Sequence, residues 1–276
     1  MPEGTASAFQ PRMHPLLDLA RRPVVGHRGN AAHAPENTLE SFRQAVALGA
    51  DALEMDVHAT ADGAVVVLHD PTLDRTTDRS GRVDQTTLAV VKQADAGARF
   101  TSDGNRFPWR GRGLTIPTLD EVLESFREMP LLIELKAGAA GAPTRDVIRR
   151  HRAQSRCIVA SFDDAPMVPF RGGDIPLGAT RADSIGLLLP ALLHARVPRP
   201  RYDAMCLPRT YKGFPVPLRR FAATLAPVGV GVHVWTVDDP AQARDLWSSG
   251  IRGIISNDPG RILGERSATG DALPGR

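Results

Sequence analysis

The chain has 276 residues, 42% hydrophobic and 24% charged, with a net charge of +3. That length can bury one full core, and the composition is ordinary for a soluble globule. No apolar run reaches the roughly 18 residues of a membrane-spanning helix; the longest, Ile185 to Ala195, runs through His194 into Arg196.

In chain order, residues 1–22 read as an N-terminal extension, mobile or lightly docked. Val24 to Gly26 reads as a strand that leads into His27. Leu39, Phe42, Ala45 and Val46 follow at helical spacing, with Asn37 expected to cap the helix and Gly49 to end it. Ala52 to Thr60 is a strand, so Glu54 and Asp56, two residues apart, point the same way. Asp62-Gly63 before the apolar run Ala64 to Leu68 signals a hairpin. Taken as a two-residue turn, it pairs Ala61 with Ala64 and sets Asp56 opposite His69. Pro71 to Pro117, rich in Thr, Asp, Arg and Gly, is expected to be an insertion over the active face.

Thr118 then caps a helix, Leu119 to Arg127, before the strand Leu131 to Lys136. Further strands fit Cys157 to Phe162, Pro176 to Thr180, Asp203 to Leu207, Val230 to Val237 and Gly253 to Ser256, with amphipathic stretches between them. With the Glu54 hairpin counted once, there are eight strand slots, each followed by a helix or, after the hairpin, by the insertion. This is the α/β pattern of a single (β/α)8 TIM barrel over residues 23–265, with a tail at 266–276. In such a barrel the active site lies at the C-terminal ends of the strands, and His27, Glu54, Asp56, Glu134, Lys136 and Ser161 fall late in theirs. No Gly-rich nucleotide loop follows the first strand, which disfavours a doubly wound sheet.

Two carboxylates in one small space repel unless a cation or a shared proton compensates them, and oxygen donors suit a hard divalent ion. Singly, Glu54, Asp56, His27 and His69 each read better as structural residues. Together, at the ends of buried apolar runs, they read as a metal-assisted acid/base site. Two cysteines make no disulfide framework, so Cys157 and Cys206 are expected to be free buried thiols. The start, Met1 to Gln10, does not resemble a secretory signal, and the expectation is a cytoplasmic protein. Arginines in Arg145 to Arg156 and Arg196 to Arg220 read by default as a solvated basic face that could also favour an anionic substrate or lipid surface, whereas 5% aromatics and no nucleic-acid motif argue against nucleic acid.

His27-Arg28-Gly29, Ala34-Pro35-Glu36-Asn37-Thr38, Leu53-Glu54-Met55-Asp56-Val57, Thr60-Ala61-Asp62-Gly63, Val67-Leu68-His69-Asp70, Ile116-Pro117-Thr118-Leu119, Ile133-Glu134-Leu135-Lys136, Ser161-Phe162 and Val234-Trp235-Thr236-Val237 occur in that order. In order and spacing the chain resembles the glycerophosphodiester phosphodiesterase family from about His27 to Pro259. The resemblance implies a metal-dependent hydrolysis of glycerophosphodiesters to sn-glycerol 3-phosphate and an alcohol. His27 and His69 would be acid and base, and Glu54, Asp56 and Glu134 would bind one divalent metal, Mg²⁺ or Ca²⁺, with Mn²⁺ a third option. Arg28 and Lys136 would hold the phosphate, and Phe162 and Trp235 would shape the pocket. The family more often has Thr-Asp-x-Pro where this chain has Ser256-Asn257-Asp258-Pro259, a segment expected to be structural. The implied partner is a small glycerophosphodiester, with peripheral membrane contact open and oligomeric state unread. Two rivals stand: a lysophospholipase D, which would need an apolar groove, and a silent barrel that only binds a phosphorylated ligand.

Among the remaining residues, Glu36 is expected to brace its turn, His58 to pack against the insertion or face solvent, and His33 to be a loop residue. His233 is placed inside the barrel near the pocket, and Asp238 and Asp239 start a helix. Trp109 is expected to pack within the insertion.

Overall fold

The structure, a computed structural model, describes residues 13–268. Its expected start-region features at Met1 to Gln10 and most of the C-terminal tail lie outside the described residues. The strands are β1 (Val24–His27), β2 (Ala52–Ala59), β3 (Val65–Val67), β4 (Leu131–Leu135), β5 (Cys157–Ala160), β6 (Ala204–Pro208), β7 (Thr210–Tyr211), β8 (Phe214–Pro215), β9 (Gly231–Trp235) and β10 (Gly253–Ser256). The helices are α1 (Leu39–Leu48), α2 (Leu88–Val91), α3 (Leu119–Ser125), α4 (Gly141–Arg150), α5 (Arg181–Leu192), α6 (Leu218–Leu225), α7 (Pro240–Ser248) and α8 (Pro259–Ala268).

Seven parallel strands run in the order β5-β4-β2-β1-β10-β9-β6. Bridges from Val159 to Leu177 and from Gly178 to Ala204 close the circle. The expected eighth strand, Pro176 to Thr180, is thus reduced to a short closing segment. Its tightness has a cause: a Cβ on Gly178 would lie 2.7 Å from the Cβ of Ala160. The result is the expected α/β barrel. Leu53, Met55, Val57, Leu131, Ile133 and Leu135 face the helices, in the core that includes Phe42 of α1 and Leu119 of α3. Val25, Ala52, Leu132, Ile158, Ala204 and Ile255 fill the interior. The alternation of β2 and β4 therefore sends Glu54, Asp56, Glu134 and Lys136 inward, above that apolar floor.

The end of the barrel away from those carboxylates is plugged by residues 14–17, which are not a loose extension. Leu16 is fully buried in the barrel interior. His14 Nδ1 accepts from the Leu16 amide at 3.2 Å, so its Nε2 carries the proton and donates to the Leu131 carbonyl at 3.2 Å. His233 does lie inside the barrel, as expected, but at this plugged end: its Nε2 donates to the Leu16 carbonyl at 2.9 Å.

The hairpin register corrects the expectation by one residue. Thr60 N–H bonds the Ala64 carbonyl, and Gly63 sits at φ 80°, so the loop is Ala61-Asp62-Gly63 rather than two residues. Thr60 Oγ1 stabilises it, donating to Asp62 Oδ1 at 2.6 Å and accepting from Ala64 N at 3.0 Å. Asp56 consequently pairs with Leu68, whose amide donates to the Asp56 carbonyl, and His69 leaves the ladder. Residues 71–117 build a small core of their own from Leu73, Val83, Val91, Ala94, Ala96 and Ile116 against Val66 and Leu68. Trp109 lies against Gly97 of the insertion, but its indole N–H reaches out of it to the His33 carbonyl at 3.4 Å, so it is not packed within the insertion alone. No helix among the described residues is long and apolar enough to cross a membrane.

Candidate active site

Strand register assembles the site. His27 of β1 pairs with Glu54 of β2, and Asp56 of β2 with Glu134 of β4. Oxygens of Glu54, Asp56 and Glu134 all lie within 4.8 Å of one another. Burial pushes the Glu54 carboxyl well up, and the neighbouring Asp56 and Glu134 push it further. Burial also raises Glu134, against the opposing pull of Lys136. Burial would raise Asp56 as well, but Lys136 and Arg28 outweigh it and hold this carboxyl low. Lys136 Nζ lies 2.9 Å from Asp56 Oδ1 and 2.7 Å from Glu134 Oε1. Arg28 Nε lies 3.0 Å from Asp56 Oδ2.

The turn after β1 is shaped to bring Arg28 back over the carboxylates. Arg28 takes a left-handed φ of 54°, and its amide donates to Glu54 Oε2 at 2.9 Å. Gly29 follows at φ 91°, where a Cβ would lie 2.4 Å from Ser41 Oγ of α1, so only glycine fits. Asn37, also left-handed at φ 58°, does not cap α1; Thr38 does, accepting from Ser41 N. Asn37 instead clamps Asp56, donating from Nδ2 to Oδ2 at 2.9 Å and accepting from the Asp56 amide at 3.3 Å.

Both imidazoles are held through Nδ1. His27 Nδ1 bonds Asn257 Oδ1 at 2.7 Å, and His69 Nδ1 bonds Asp70 Oδ1 at 2.6 Å. Asn257 is itself oriented: its Nδ2 donates to Asp238 Oδ2 at 3.0 Å and its amide to Asp238 Oδ1 at 2.7 Å. Because Asp238 accepts only, Asn257 must present its carbonyl oxygen to His27, whose Nδ1 therefore carries the proton and whose Nε2 is left bare. That Nε2 lies 3.9 Å from Glu54 Oε2. Burial, then Arg28, lowers the His27 pKa. On the other side, Arg75 grips both Asp70 and Glu36, and Glu36 in turn grips Arg28. Arg75 and His69 together hold the Asp70 carboxyl down at about 2, against its burial.

These contacts correct several expectations. The Ser256-Asn257-Asp258 segment positions a histidine rather than serving structure alone. Asp239 caps α7, but Asp238 anchors Asn257. Glu36 does brace its turn, yet as the link between Arg28 and Arg75. His58, as expected, does not join the carboxylates; it is buried, and its Nε2 lies 3.1 Å from the His69 carbonyl. Asp70 carried no signal of its own beyond a charge beside a histidine, and Arg75 carried none.

A cavity of about 450 Å³ opens over this cluster, lined by His27, Arg28, Glu54, His69, Glu134 and Lys136. Phe162 and Trp235 meet edge to face across its wall, centroids 5.8 Å apart. Of the two thiols, Cys157 is fully buried and Cys206 lines the cavity floor, where burial pushes its pKa up to about 12.

Residues 27–261 match the model of the glycerophosphoryl diester phosphodiesterase family. The chain belongs to that family. It is 32% identical over 247 residues to a glycerophosphodiester phosphodiesterase of Caldanaerobacter subterraneus subsp. tengcongensis, covering 87% of this chain and 96% of that one. A probable glycerophosphodiester phosphodiesterase 2 of Mycobacterium tuberculosis is 31% identical over 86% of this chain and 87% of its own length. Among solved structures, an Oleispira antarctica phosphodiesterase in complex with the product sn-glycerol-3-phosphate superposes with a TM-score of 0.72 at 27% identity, covering 89% of this chain and 96% of that one. The glycerophosphoryl diester phosphodiesterase domain of Rv2277c from Mycobacterium tuberculosis shares the fold with a TM-score of 0.79 at 21% identity, over 90% and 99% of the two chains. This family member is accordingly a phosphodiester hydrolase of the glycerophosphodiester phosphodiesterase class.

Proposed function

We propose that the chain hydrolyses glycerophosphodiesters such as glycerophosphocholine to sn-glycerol 3-phosphate and the free alcohol, with His27 and His69 as the acid/base pair. The observation that carries this reading is that both rings are fixed at Nδ1, each by a partner that is itself anchored, beside one cluster of three carboxylates. A ring so held keeps its Nε2 for proton transfer. One histidine takes the proton of the attacking hydroxyl, and the other gives a proton to the leaving alkoxide. The attacking group is the substrate's own glycerol hydroxyl, through a cyclic phosphate that water then opens; direct attack by water is the competing route. Arg28 and Lys136 bind the phosphate oxygens, where negative charge grows as attack proceeds. Phe162 and Trp235 orient the rest of the substrate.

Glu54, Asp56 and Glu134 suit a hard divalent cation: three carboxylate oxygen donors converge within 4.8 Å of one another, more negative charge than one space holds without a cation. Those three side chains would hold one ion, Mg²⁺, Ca²⁺ or Mn²⁺, which supplies Lewis-acid stabilisation of the phosphoryl oxygens. The relatives' phosphodiesterase names and the sn-glycerol-3-phosphate in the Oleispira enzyme support this substrate class.

The test is turnover of glycerophosphocholine by His27→Ala and His69→Ala, each expected to lose about 10²- to 10⁴-fold in kcat. A glycerol phosphodiester with a p-nitrophenol leaving group, which needs no proton, should rescue the variant that lost the acid and not the one that lost the base. Near-normal turnover of glycerophosphocholine by either variant overturns the assignment.

A further inference from the structure

The cavity wall carries a second pair of cations, away from the carboxylate cluster. Arg181, the first residue of α5, and Lys212, at the tip of the β7–β8 hairpin, both line it. They meet at Tyr211, which lines the cavity as well. The Arg181 guanidinium donates to the Tyr211 phenol oxygen, and the Lys212 ammonium lies over the Tyr211 ring, 5.7 Å from its centroid. The backbone sets Arg181 beside the aromatic wall, because its N–H donates to the Phe162 carbonyl at 3.0 Å.

Neither cation is one solvent charge among many. Of the twelve residues of α5 only Arg181 and Asp183 are charged, and Asp183 serves the Thr180 cap, accepting from its amide at 2.8 Å and its hydroxyl at 2.9 Å. The rest of the outward face of α5 is a stripe of Ile185, Leu188, Leu189 and Leu192, all exposed. In the hairpin, Thr210 pairs with Pro215 and Tyr211 with Phe214, so Lys212-Gly213 is a two-residue loop, at φ 48° and 84°. Asn, Asp or Gly suits the first of these left-handed positions, and a lysine there is held against its backbone preference. The carboxylates do not answer these cations inside the cavity. Asp163 pairs with Arg181 but does not line it, and Lys212 has no carboxylate partner among the described residues. Among the described residues that line the cavity, the carboxylates are Glu54 and Glu134, both in the metal cluster.

We propose that Arg181 and Lys212, with the Tyr211 phenol, select glycerophosphodiesters whose alcohol carries an anionic group, a carboxylate or a phosphate monoester. The inference rests on the reading given under Proposed function and names the substrate class of the same site more closely. The position of the anion on the substrate follows by elimination. The phosphodiester charge lies at Arg28 and Lys136, the glycerol is uncharged, and the alcohol is the variable part of the molecule. A choline or ethanolamine at this end of the cavity meets two like charges. Tyr211 accepts from Arg181 and so keeps its own O–H to donate to the anion. In the reaction the bond from phosphorus to the alcohol oxygen breaks. One water supplies the new hydroxyl on phosphorus and the proton on the alcohol, which leaves with its anionic group unchanged. Ion pairs at a mouth open to water are modest and screened by salt, so the selection is a preference that salt weakens.

The experiment measures kcat/KM, with divalent metal present, for glycerol 3-phosphate esterified to four alcohols of similar size: ethanolamine, ethylene glycol, 3-hydroxypropionate and 2-hydroxyethyl phosphate. The readout is the ratio of each anionic ester to the neutral ethylene glycol ester. That ratio should fall about threefold in Arg181→Gln and in Lys212→Gln, and at least about fivefold in the double variant. The ethanolamine ratio should rise in the same variants. Raising salt to roughly 0.5 M should bring the unsubstituted protein toward the ratio of the double variant. Each ester keeps its own chemical reactivity with every variant, so comparing ratios isolates the cations, and a folding defect leaves the ratios alone. The larger fall of the two anionic esters identifies the carboxylate or the phosphate as the preferred group. An equal fall for all four esters overturns the proposal, because the cations then steer only the phosphodiester that all four share. Turnover with ratios unmoved by both substitutions also overturns it and leaves the phosphodiesterase reading standing. No turnover of any ester removes both readings.

Discussion

On one side of the barrel mouth, the turns after β1 and β3 hold charges against charges: His69 on Asp70, Asp70 on Arg75, Arg75 on Glu36, Glu36 on Arg28 and Arg28 on Asp56. On the other side, α5 and the β7–β8 hairpin present Ile185, Leu188 and Phe214 with almost no directed bonds among them. The difference follows from what each side does. Proton transfer and phosphate binding need atoms at fixed angles, which charge-assisted hydrogen bonds provide. An apolar wall offers area that excludes water and no directed bond, because the hydrophobic effect is non-directional. Errors on the ion-paired side should therefore appear in kcat, and errors on the apolar side in preference among substrates.

The sharpest way to break that division is at its polar extreme. Asp56→Ala or Glu134→Ala should lower kcat by at least about 10³-fold, through loss of several kcal/mol of charge stabilisation, and weaken Mn²⁺ binding measured on the protein without substrate. Retained Mn²⁺ affinity in both variants would remove these residues from the metal site.

A second effect, on stability, separates the mouth from the plugged end. Burial lowers the pKa of His14 to about 3 and that of His233 to about 4, from 6.5. Protonation of His14 at Nδ1 would also break its bond from Leu16, and His233 Nδ1 has no partner among the described residues. The unfolded chain binds these protons first as pH falls. Their contribution is therefore complete above about pH 6.5 and is lost progressively toward pH 3, at about 2 kcal/mol per histidine between pH 7 and 5. Urea melts at those two values check it. His233→Gln should be less stable at pH 7 yet show a smaller loss on acidification.

Smaller effects probe the supports. Asn257→Ala and Arg75→Ala each remove a prop from a histidine side chain or its partner, and each should lower kcat by about tenfold with little change in KM, the worth of one directed hydrogen bond. Equal loss in kcat and thermal stability would instead make them structural. At the bottom of the scale, Leu189→Ser, on the exposed stripe of α5, should change folding stability by less than about 0.5 kcal/mol in urea. A larger loss would show that the stripe is packed rather than open.

The eight strand slots and the shared face of Glu54 and Asp56 were legible because period-two alternation along β2 sends both side chains the same way, whereas Glu134 was joined to them only by the family resemblance. His27 and His69 were legible from their places at the ends of apolar runs. The hairpin register was not, since the extra loop residue depends on Thr60 Oγ1 bonding within its own turn. Asn257, Asp238 and Arg75 were missed as supports for the opposite reason. Each acts on a side chain brought near only by the closed barrel or the folded insertion, and a contact such as that of Asn257 with His27 spans 230 positions of chain. The plug at Leu16 was equally hidden, because a Pro-Leu-Leu segment before β1 has no periodicity to mark what it buries.

The measurement closest to the central claim is release of glycerol 3-phosphate from glycerophosphocholine by the purified protein, with EDTA and then with Mg²⁺, Ca²⁺ or Mn²⁺ restored. Loss of activity in EDTA and recovery with one of these ions is the predicted result. Full activity in EDTA, or none with any ion, would contradict the account of a carboxylate-held metal working beside two anchored histidines.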